Sequence, residues 1–169
     1  MRHLWAGWRM PYIKADADER SKGHADGLTL FEGIEQSGLD DEVTYVVWRG
    51  DNAFALLNAY PYTSGHVMVL PKKGVAALED LDDETYTEVM LAVRSAVAAV
   101  KTAYAPDGVN VGMNLGAASG AGVPDHLHIH VLPRWSGDTN FISSVADTRV
   151  LPEALVDSWR RLRDAWPVD

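Results

Sequence analysis

The sequence predicts an α+β domain built on an antiparallel sheet, and three observations lead to that class. Short runs rich in β-branched and aromatic residues, each bounded by turn residues, indicate strands. One long apolar stripe at helical spacing interrupts them. The strands otherwise follow one another as a meander, which is typical of antiparallel pairing. A chain of 169 residues has the size of one domain and can fold without a disulfide or a structural metal.

Composition and charge exclude several classes of function. The chain has no cysteine, which excludes disulfides, thiolate nucleophiles and cysteine-based zinc sites. A net charge of −9 argues against a nucleic-acid partner, although one locally positive pocket can still bind a small phosphorylated ligand. No apolar run approaches the ~20 residues that span a bilayer, and the first ten residues lack a secretory apolar stretch. We therefore expect a cytoplasmic protein that does not bind a membrane.

The first half of the chain is predicted to contain a short helix and three strands. Residues 1–26 indicate an aromatic N-terminal hook and a charged linker, and residues 27–169 a single domain. A short helix is expected at 28–34. Strands at 43–48 and 53–57 form a hairpin around the turn at 49–52. A Pro/Gly loop over 58–65 leads into a third strand at 66–71, which its proline ends.

The second half is predicted to begin with the long helix. Asp82 is the candidate N-cap, and acidic residues follow it in the first turn. The helix extends to about Tyr104, and its apolar stripe consists of Tyr86, Val89, Met90, Val93, Val97, Val100 and Tyr104. A fourth strand at 109–115, a Gly/Ala-rich loop at 116–124 and a fifth strand at 126–132 follow. A C-terminal helix is expected around 159–166.

Three of the six histidines alternate along the predicted fifth strand. Because successive side chains of a strand point to opposite faces, the alternation predicts one apolar face and one histidine face. The histidine face consists of His126, His128 and His130. Three buried imidazoles without a function would need three satisfied partners, so the pattern favours chemistry over a purely structural role.

Two kinds of chemistry fit the histidine face. The histidines can bind a metal ion such as zinc, with His66 as a further ligand. Alternatively, a neutral imidazole can attack phosphorus. The preceding loop favours the second interpretation, because its small residues let backbone N–H groups approach phosphate oxygens. Asp125 is the only carboxylate in the motif, and its offset points it away from the histidines.

The run His126-Leu127-His128-Ile129-His130-Val131-Leu132 resembles the signature of the histidine-triad (HIT) superfamily of nucleotidyl hydrolases and transferases. Asn58, with Gly65-His66 after it, matches the nucleoside-binding segment of that family, and Asn114 stands where dinucleotide-cleaving members carry an amide. The hook and the runs around Tyr60 and Trp135 resemble the branch typified by actinobacterial diadenosine tetraphosphate phosphorylases. The resemblance implies a HIT-like fold of about five antiparallel strands, one long helix and a C-terminal helix.

The resemblance also implies roles for individual residues. His128 would attack the α-phosphate of a dinucleoside polyphosphate and form an adenylyl-histidine, which inorganic phosphate or water then resolves. His126, His130 and His66 would flank the phosphate oxygens and the leaving group. Asn58 would bind the ribose and Asn114 the polyphosphate. Contacts to phosphate would come from Ser119, Gly120 and Gly122. Trp135 would either belong to the core or line the second nucleoside site.

The chain departs from many bacterial relatives at a structural zinc site. Those relatives carry Cys-x-x-Cys near the N-terminus, where this chain has Leu28-Thr29-Leu30-Phe31, so we expect apolar packing to replace the metal. No cofactor is expected beyond Mg²⁺ as a counterion of the substrate. Two other functions stay open: a metal-dependent hydrolase that uses the histidine-rich strand, and a non-catalytic nucleotide-binding module.

The resemblance further implies a homodimer whose sheets join across a two-fold axis. The long helix and a fourth strand at the sheet edge would provide the contacts. Trp5 and Trp8 of the hook could cap the partner or extend the dimer to a tetramer, or instead cover the core of their own domain.

Overall fold

The computed structural model describes residues 27–119, 121–138 and 153–167, so the predicted hook and linker over 1–26 lie outside the described residues. The helices within these ranges are α1 (Leu30–Glu35), α2 (Asp41–Thr44), α3 (Asp83–Tyr104) and α4 (Leu155–Ala165). The strands are β1 (Val46–Arg49), β2 (Ala53–Leu57), β3 (Val67–Pro71), β4 (Gly108–Met113) and β5 (Ile129–Arg134). Short 3₁₀ turns occur at Leu78–Asp80 and Ala117–Ser119.

The strands form one antiparallel sheet in the order β1-β2-β3-β5-β4. This arrangement confirms the predicted α+β class. β2 and β3 are buried along their whole length, whereas β4 ends the sheet and is largely exposed. Among the described residues, no helix is both long and apolar enough to cross a bilayer.

The two faces of the sheet carry separate apolar clusters. On one face, α3 and α4 pack against alternate residues of the strands, including Ala55, Val69 and Ile129. On the other face, α1 packs Phe31 against the intervening residues, among them Met68. Ile129 and Met68 therefore lie on opposite faces, as the period of two in a strand requires.

The long helix follows its sequence signals closely. Asp82 is its N-cap, and the carboxylate accepts a hydrogen bond from the backbone N–H of Thr85 at 2.8 Å. The helix ends at Tyr104, because Ala105 adopts a left-handed conformation with φ of 42° and a proline follows.

The predicted first strand is wrong at its start. Residues 43 and 44 belong to α2, whose first turn carries two acidic residues that favour a helix N-terminus. The hydroxyl of Thr44 bonds back to the carbonyl of Asp40, and Tyr45 then breaks the helix with φ of 57°. The strand begins only at Val46.

The predicted fifth strand is also displaced. It was expected at 126–132 and runs from Ile129 to Arg134. Continuing the β3–β5 register from the pair Val69–Ile129 would bring Leu127 opposite Pro71, which has no N–H to donate. The N–H of Leu127 bonds instead to the carbonyl of Val75 at 2.7 Å. His126 and His128 therefore precede the strand.

Candidate active site

The candidate site lies on the α1 face of the sheet, where four histidine rings and one phenylalanine meet. The ring centroid of Phe31 is 5.4 Å from that of His126 and 5.6 Å from that of His128. The centroid of His130 is 4.9 Å from that of His128 and 5.0 Å from that of His66. The four histidines are between 1% and 8% exposed. The structure thus brings together all four predicted catalytic residues, although two of them precede the strand.

Both ring nitrogens of His126 are engaged within the protein. Nε2 lies 2.9 Å from the carbonyl oxygen of Pro71, which can only accept, so Nε2 carries a proton. Burial lowers the pKa of this imidazole below its usual value, which favours the neutral ring. Nδ1 then accepts a hydrogen bond from the hydroxyl of Thr29 at 2.6 Å. Neither nitrogen is left for a phosphate oxygen.

His128 has one nitrogen fixed and one free. Its Nδ1–H donates to the backbone carbonyl of His126 at 2.8 Å. In the neutral ring this fixes the lone pair on Nε2, which takes part in no hydrogen bond found among the described residues. An oriented nitrogen lone pair beside other neutral imidazoles has the character of a nucleophile.

A short hydrogen-bond chain assigns the protons of the other two rings. Nδ1 of His66 accepts from the backbone N–H of Tyr62 at 3.2 Å. Its Nε2–H therefore donates to Nδ1 of His130 at 2.9 Å. This leaves the proton of His130 on Nε2, a buried atom that has no partner within the described part of the chain.

His130 is a neutral donor at physiological pH. Burial, and then repulsion from His128, lowers its pKa from 6.5 to about 4. A buried N–H without a partner costs roughly 1–3 kcal/mol. An orphaned donor next to an oriented lone pair therefore indicates a ligand oxygen at this point, such as an oxygen on phosphorus.

Asn58 and Tyr62 contact the histidine group from the loop before β3. The side-chain oxygen of Asn58 accepts from the backbone N–H of Tyr60 at 2.9 Å, and its Nδ2 lies 3.4 Å from Nδ1 of His66. The ring of Tyr62 lies 4.7 Å from that of His66 and 5.8 Å from that of His130. Asn58 thus shapes the loop and orients His66, and its contact with a ribose stays a prediction.

Asn114 directly follows β4. The last pair of the β4–β5 ladder joins Met113 to Ile129, and one further step in the same register brings Asn114 beside His128. Its side chain is half-buried. The placement agrees with a role near the nucleophile.

The predicted phosphate-binding loop is described only in part. The hydroxyl of Ser119 donates to the carbonyl of Gly116 at 2.6 Å, and the residue is exposed. Gly122 is also exposed, and the adjacent Val123 packs against the α1 cluster. Gly120 lies outside the described residues, so the loop's contacts with phosphate stay a prediction.

Trp135 follows β5 and is half-buried, with its ring 6.2 Å from that of Tyr104 in an edge-on arrangement. Its backbone N–H donates to the carboxylate of Asp138, which also holds Arg134 through two hydrogen bonds of 2.6 and 2.8 Å. The side chain is therefore held at the rim of the domain and is not part of either apolar cluster.

The residues present do not fit the zinc site that the resemblance implies in other members. Within the described ranges, no three histidine or carboxylate side chains converge on one point where a metal could bind. In the segment that stands in place of Cys-x-x-Cys, Phe31 packs in the α1 cluster and Thr29 makes a polar contact with His126.

Three contributors to the site were not singled out from the sequence. The ring of Phe31 contacts that of His128, and the ring of Tyr62 contacts that of His66, but no local sequence pattern predicts these contacts. Thr29 was detectable as a helix N-cap, because Thr29 and Glu32 fit the Ser/Thr-x-x-Glu pattern of a capping box.

Comparisons with known proteins agree with this arrangement. A family model for the HIT domain matches residues 41–137. AP-4-A phosphorylase of Mycobacterium tuberculosis is 40% identical over 167 residues, which cover 98% of this chain and 85% of that protein. A Hit-like protein from Bartonella henselae superposes with a TM-score of 0.66 at 31% identity, over 81% of this chain and 95% of that one. A zinc-bound histidine triad family protein from Mycobacterium smegmatis also gives 0.66, at 28% identity over 81% and 91%.

Proposed function

The chain is an enzyme of the HIT domain family, and on that premise we propose that it cleaves dinucleoside polyphosphates such as diadenosine tetraphosphate, with His128 as the nucleophile. Similarity to AP-4-A phosphorylase over 98% of the chain supports the substrate class. The observation that carries the mechanism is the tautomer of His128, whose Nδ1–H is committed to a carbonyl 2.8 Å away. Nε2 is therefore the atom offered to phosphorus.

The reaction consists of two displacements. Nε2 of His128 attacks the α-phosphorus in line, so that a P–N bond forms while the P–O bond to the departing ATP breaks. The positive charge of the imidazolium is held by the His126 carbonyl. An oxygen of inorganic phosphate or of water then attacks the same phosphorus and the P–N bond breaks. The electron pair returns to Nε2, and the second product is ADP with phosphate or AMP with water.

The surrounding groups stabilise the charge that develops on the phosphate. Nε2–H of His130 donates to an oxygen on phosphorus, and the hydrogen bond from His66 to Nδ1 keeps that proton on Nε2. Asn114 binds the polyphosphate beside His128. The N–H groups and hydroxyl of the loop at Ser119, Gly120 and Gly122 complete the phosphate contacts, and Trp135 lines the second nucleoside site.

The proposed chemistry needs no bound metal of its own, because the ring nitrogens are committed to hydrogen bonds or to phosphorus. Mg²⁺ acts only as a counterion of the polyphosphate. This separates the proposal from a metal-dependent hydrolase that uses the same histidines.

The test is a product assay with diadenosine tetraphosphate, with and without inorganic phosphate, on protein exhaustively chelated and returned to Mg²⁺ alone. ATP with ADP indicates phosphorolysis, and ATP with AMP indicates hydrolysis. H128A should lower turnover at least about a thousandfold while nucleotide binding, measured by calorimetry, survives. A substrate radiolabelled on the α-phosphate should leave label on the wild-type protein but not on H128A.

The outcomes separate the three functions. H128A activity within about tenfold of wild type would remove the assignment of the nucleophile. Activity that disappears on chelation and returns only with zinc would favour the metal-dependent hydrolase. Nucleotide binding without turnover under any of these conditions would favour the binding module.

A further inference from the structure

The hydroxyl of Thr29 joins the start of α1 to the first histidine of the triad, 97 residues further along the chain. Its oxygen lies 2.6 Å from Nδ1 of His126 and also accepts the backbone N–H of Glu32 at 3.2 Å. Because His126 uses its Nε2–H for the carbonyl of Pro71, Nδ1 can only accept in the neutral ring. The hydroxyl therefore donates to the imidazole and accepts from the helix.

Glu32 anchors Thr29 on the loop that follows β3. One carboxylate oxygen accepts the N–H of Thr29 at 2.7 Å, and the other accepts the N–H of Gly74 at 2.9 Å. These backbone hydrogen bonds hold the pKa of Glu32 below its usual value, and the bond from Gly74 has the largest effect. The Thr29 side chain lies against the backbone of this loop, since a Cβ on Gly74 would lie 2.6 Å from the methyl carbon of Thr29.

The same loop also holds the backbone of the triad. The carbonyl of Pro71 accepts from the ring of His126, and the carbonyl of Val75 accepts the N–H of Leu127 at 2.7 Å. His126 is thus fixed at its ring by two hydrogen bonds and at the next peptide by a third. These hydrogen bonds restrict the direction of its own carbonyl, which accepts Nδ1–H of His128.

We propose that Thr29 is a positioning residue for the nucleophile, which it aligns through the ring and carbonyl of His126. Only the expected effect on turnover rests on the proposed function; the hydrogen bonds that align His126 and His128 do not depend on it. Without the hydroxyl, Nδ1 of His126 would be a buried acceptor without a donor, and the ring would rotate or change tautomer. The peptide that carries the carbonyl beneath His128 would then be held by the Leu127–Val75 hydrogen bond alone, and Nε2 would be aimed less accurately.

The test compares T29V, which keeps the shape but lacks the hydroxyl, with T29S, which keeps the hydroxyl. We expect T29V to lower kcat about tenfold, with KM changed less than about twofold, because misalignment affects attack more than binding. T29S should restore kcat to within about twofold of wild type. T85V is the matched control: its hydroxyl also belongs to a helix N-terminus, bonding to Asp82 at 3.0 Å away from the site.

A second readout does not depend on activity. Long-range ¹H–¹⁵N spectra should show His126 protonated on Nε2 and His128 on Nδ1 in the wild type, and a mixture of tautomers in T29V. If the wild type does not cleave diadenosine tetraphosphate, the proposed function fails while the spectra still decide the role of Thr29. Should T29V not fold, E32Q removes part of the anchor and should cause a smaller change in the same direction.

A role in helix capping alone predicts a different result. T29V would then lower the melting temperature but keep wild-type kcat and unchanged tautomers. That outcome, or a T29S variant as slow as T29V, overturns the proposal.

Discussion

The two nitrogens of a neutral imidazole are not equivalent, and the contacts of this site assign the proton on each of its four rings. His126 gives its Nε2–H to a carbonyl, and His128 gives its Nδ1–H to another. His66 donates its Nε2–H to His130, whose own Nε2–H has no partner among the residues that the structure describes. Four chemically identical side chains therefore carry their protons differently, and on the proposed function one of them, His128, presents its lone pair as the nucleophile.

The same arrangement predicts that acid destabilises the fold. The pKa of His130 falls to about 4 in the folded protein, and burial lowers that of His126 as well. In the unfolded chain both rings titrate at about 6.5. Between these values the unfolded state binds more protons, so stability is full above pH ~6.5 and is lost as the pH falls toward 4. Each ring contributes a slope of at most ~1.4 kcal/mol per pH unit.

Urea unfolding between pH 7 and pH 5 measures this effect, because the carboxylates titrate mainly below that window. H130Q removes one titrating ring and should reduce the loss of stability over the window. An equal pH dependence in wild type and H130Q would contradict the pKa assigned to His130.

The C-terminal helix α4 stabilises the sheet at a distance from the site. Its Trp159 is buried, and the indole N–H donates to the backbone carbonyl of Val46 in edge strand β1 at 2.7 Å. Trp166, next to the end of the helix, stacks on Trp48 with ring centroids 5.8 Å apart. These contacts lie on the face opposite the histidines, so they contribute to stability rather than to chemistry.

W159F should therefore separate stability from activity. The substitution leaves the Val46 carbonyl without its donor and removes part of a buried ring, which we expect to cost about 1–3 kcal/mol. Turnover below the melting transition should stay at the wild-type value. R160A, which removes an exposed ion pair with Glu42 from the same helix, should cost less than about 1 kcal/mol. A W159F variant with wild-type stability, or with reduced kcat, would contradict this division.

At the level of elements, local sequence signals predicted the bounds of a helix, which depend on one segment, but not the bounds of a strand, which depend on its partner strand. The cap at Asp82 and the apolar stripe predicted α3 almost to the residue. The start of β5 could not be predicted, because it depends on the partner strand: the ladder ends at the pair Val69–Ile129, before the step that would bring Leu127 opposite Pro71. Similarly, the capping box of Thr29 is visible in the sequence, but its contact with His126 exists only after the chain folds.

At the level of the whole molecule, the sheet separates stability from function. One face carries α3 and α4 and the larger apolar cluster, while the other carries α1, a smaller cluster and the histidines. The antiparallel sheet was predicted correctly because a period of two in a strand is a property of sequence, whereas the predicted histidine strand was wrong at its start, since His126 and His128 precede β5. How two copies meet depends on surfaces, and the N-terminal tryptophans Trp5 and Trp8 that could take part lie outside the described residues.

The edge strand β4 is the surface on which we expect two copies of the chain to join. It is the last strand in the order of the sheet, and Val111 within it is 49% exposed. An exposed edge with unpaired backbone groups tends to pair with another strand, and a two-fold axis lets the same edge serve both partners. Apolar side chains on the outer side of α3, Tyr86, Met90 and Leu91, are also 40–46% exposed.

Light scattering should therefore give at least twice the chain mass of 18.5 kDa at micromolar concentration. V111K introduces a charge at the centre of the edge and should shift the wild-type assembly toward the monomer, because a lysine on an edge strand opposes pairing. V43K is the matched control, because Val43 is also exposed, at 62%, and lies on α2. This helix directly precedes β1, the strand at the opposite edge of the sheet from β4, so the same change there should leave the mass unaltered. If the wild type is a monomer, or if both variants behave alike, β4 is not the contact surface.

Deleting residues 1–13 then shows whether the hook adds a further level of assembly. A tetramer held by Trp5 and Trp8 would fall to the dimer, because the pairing through β4 would persist.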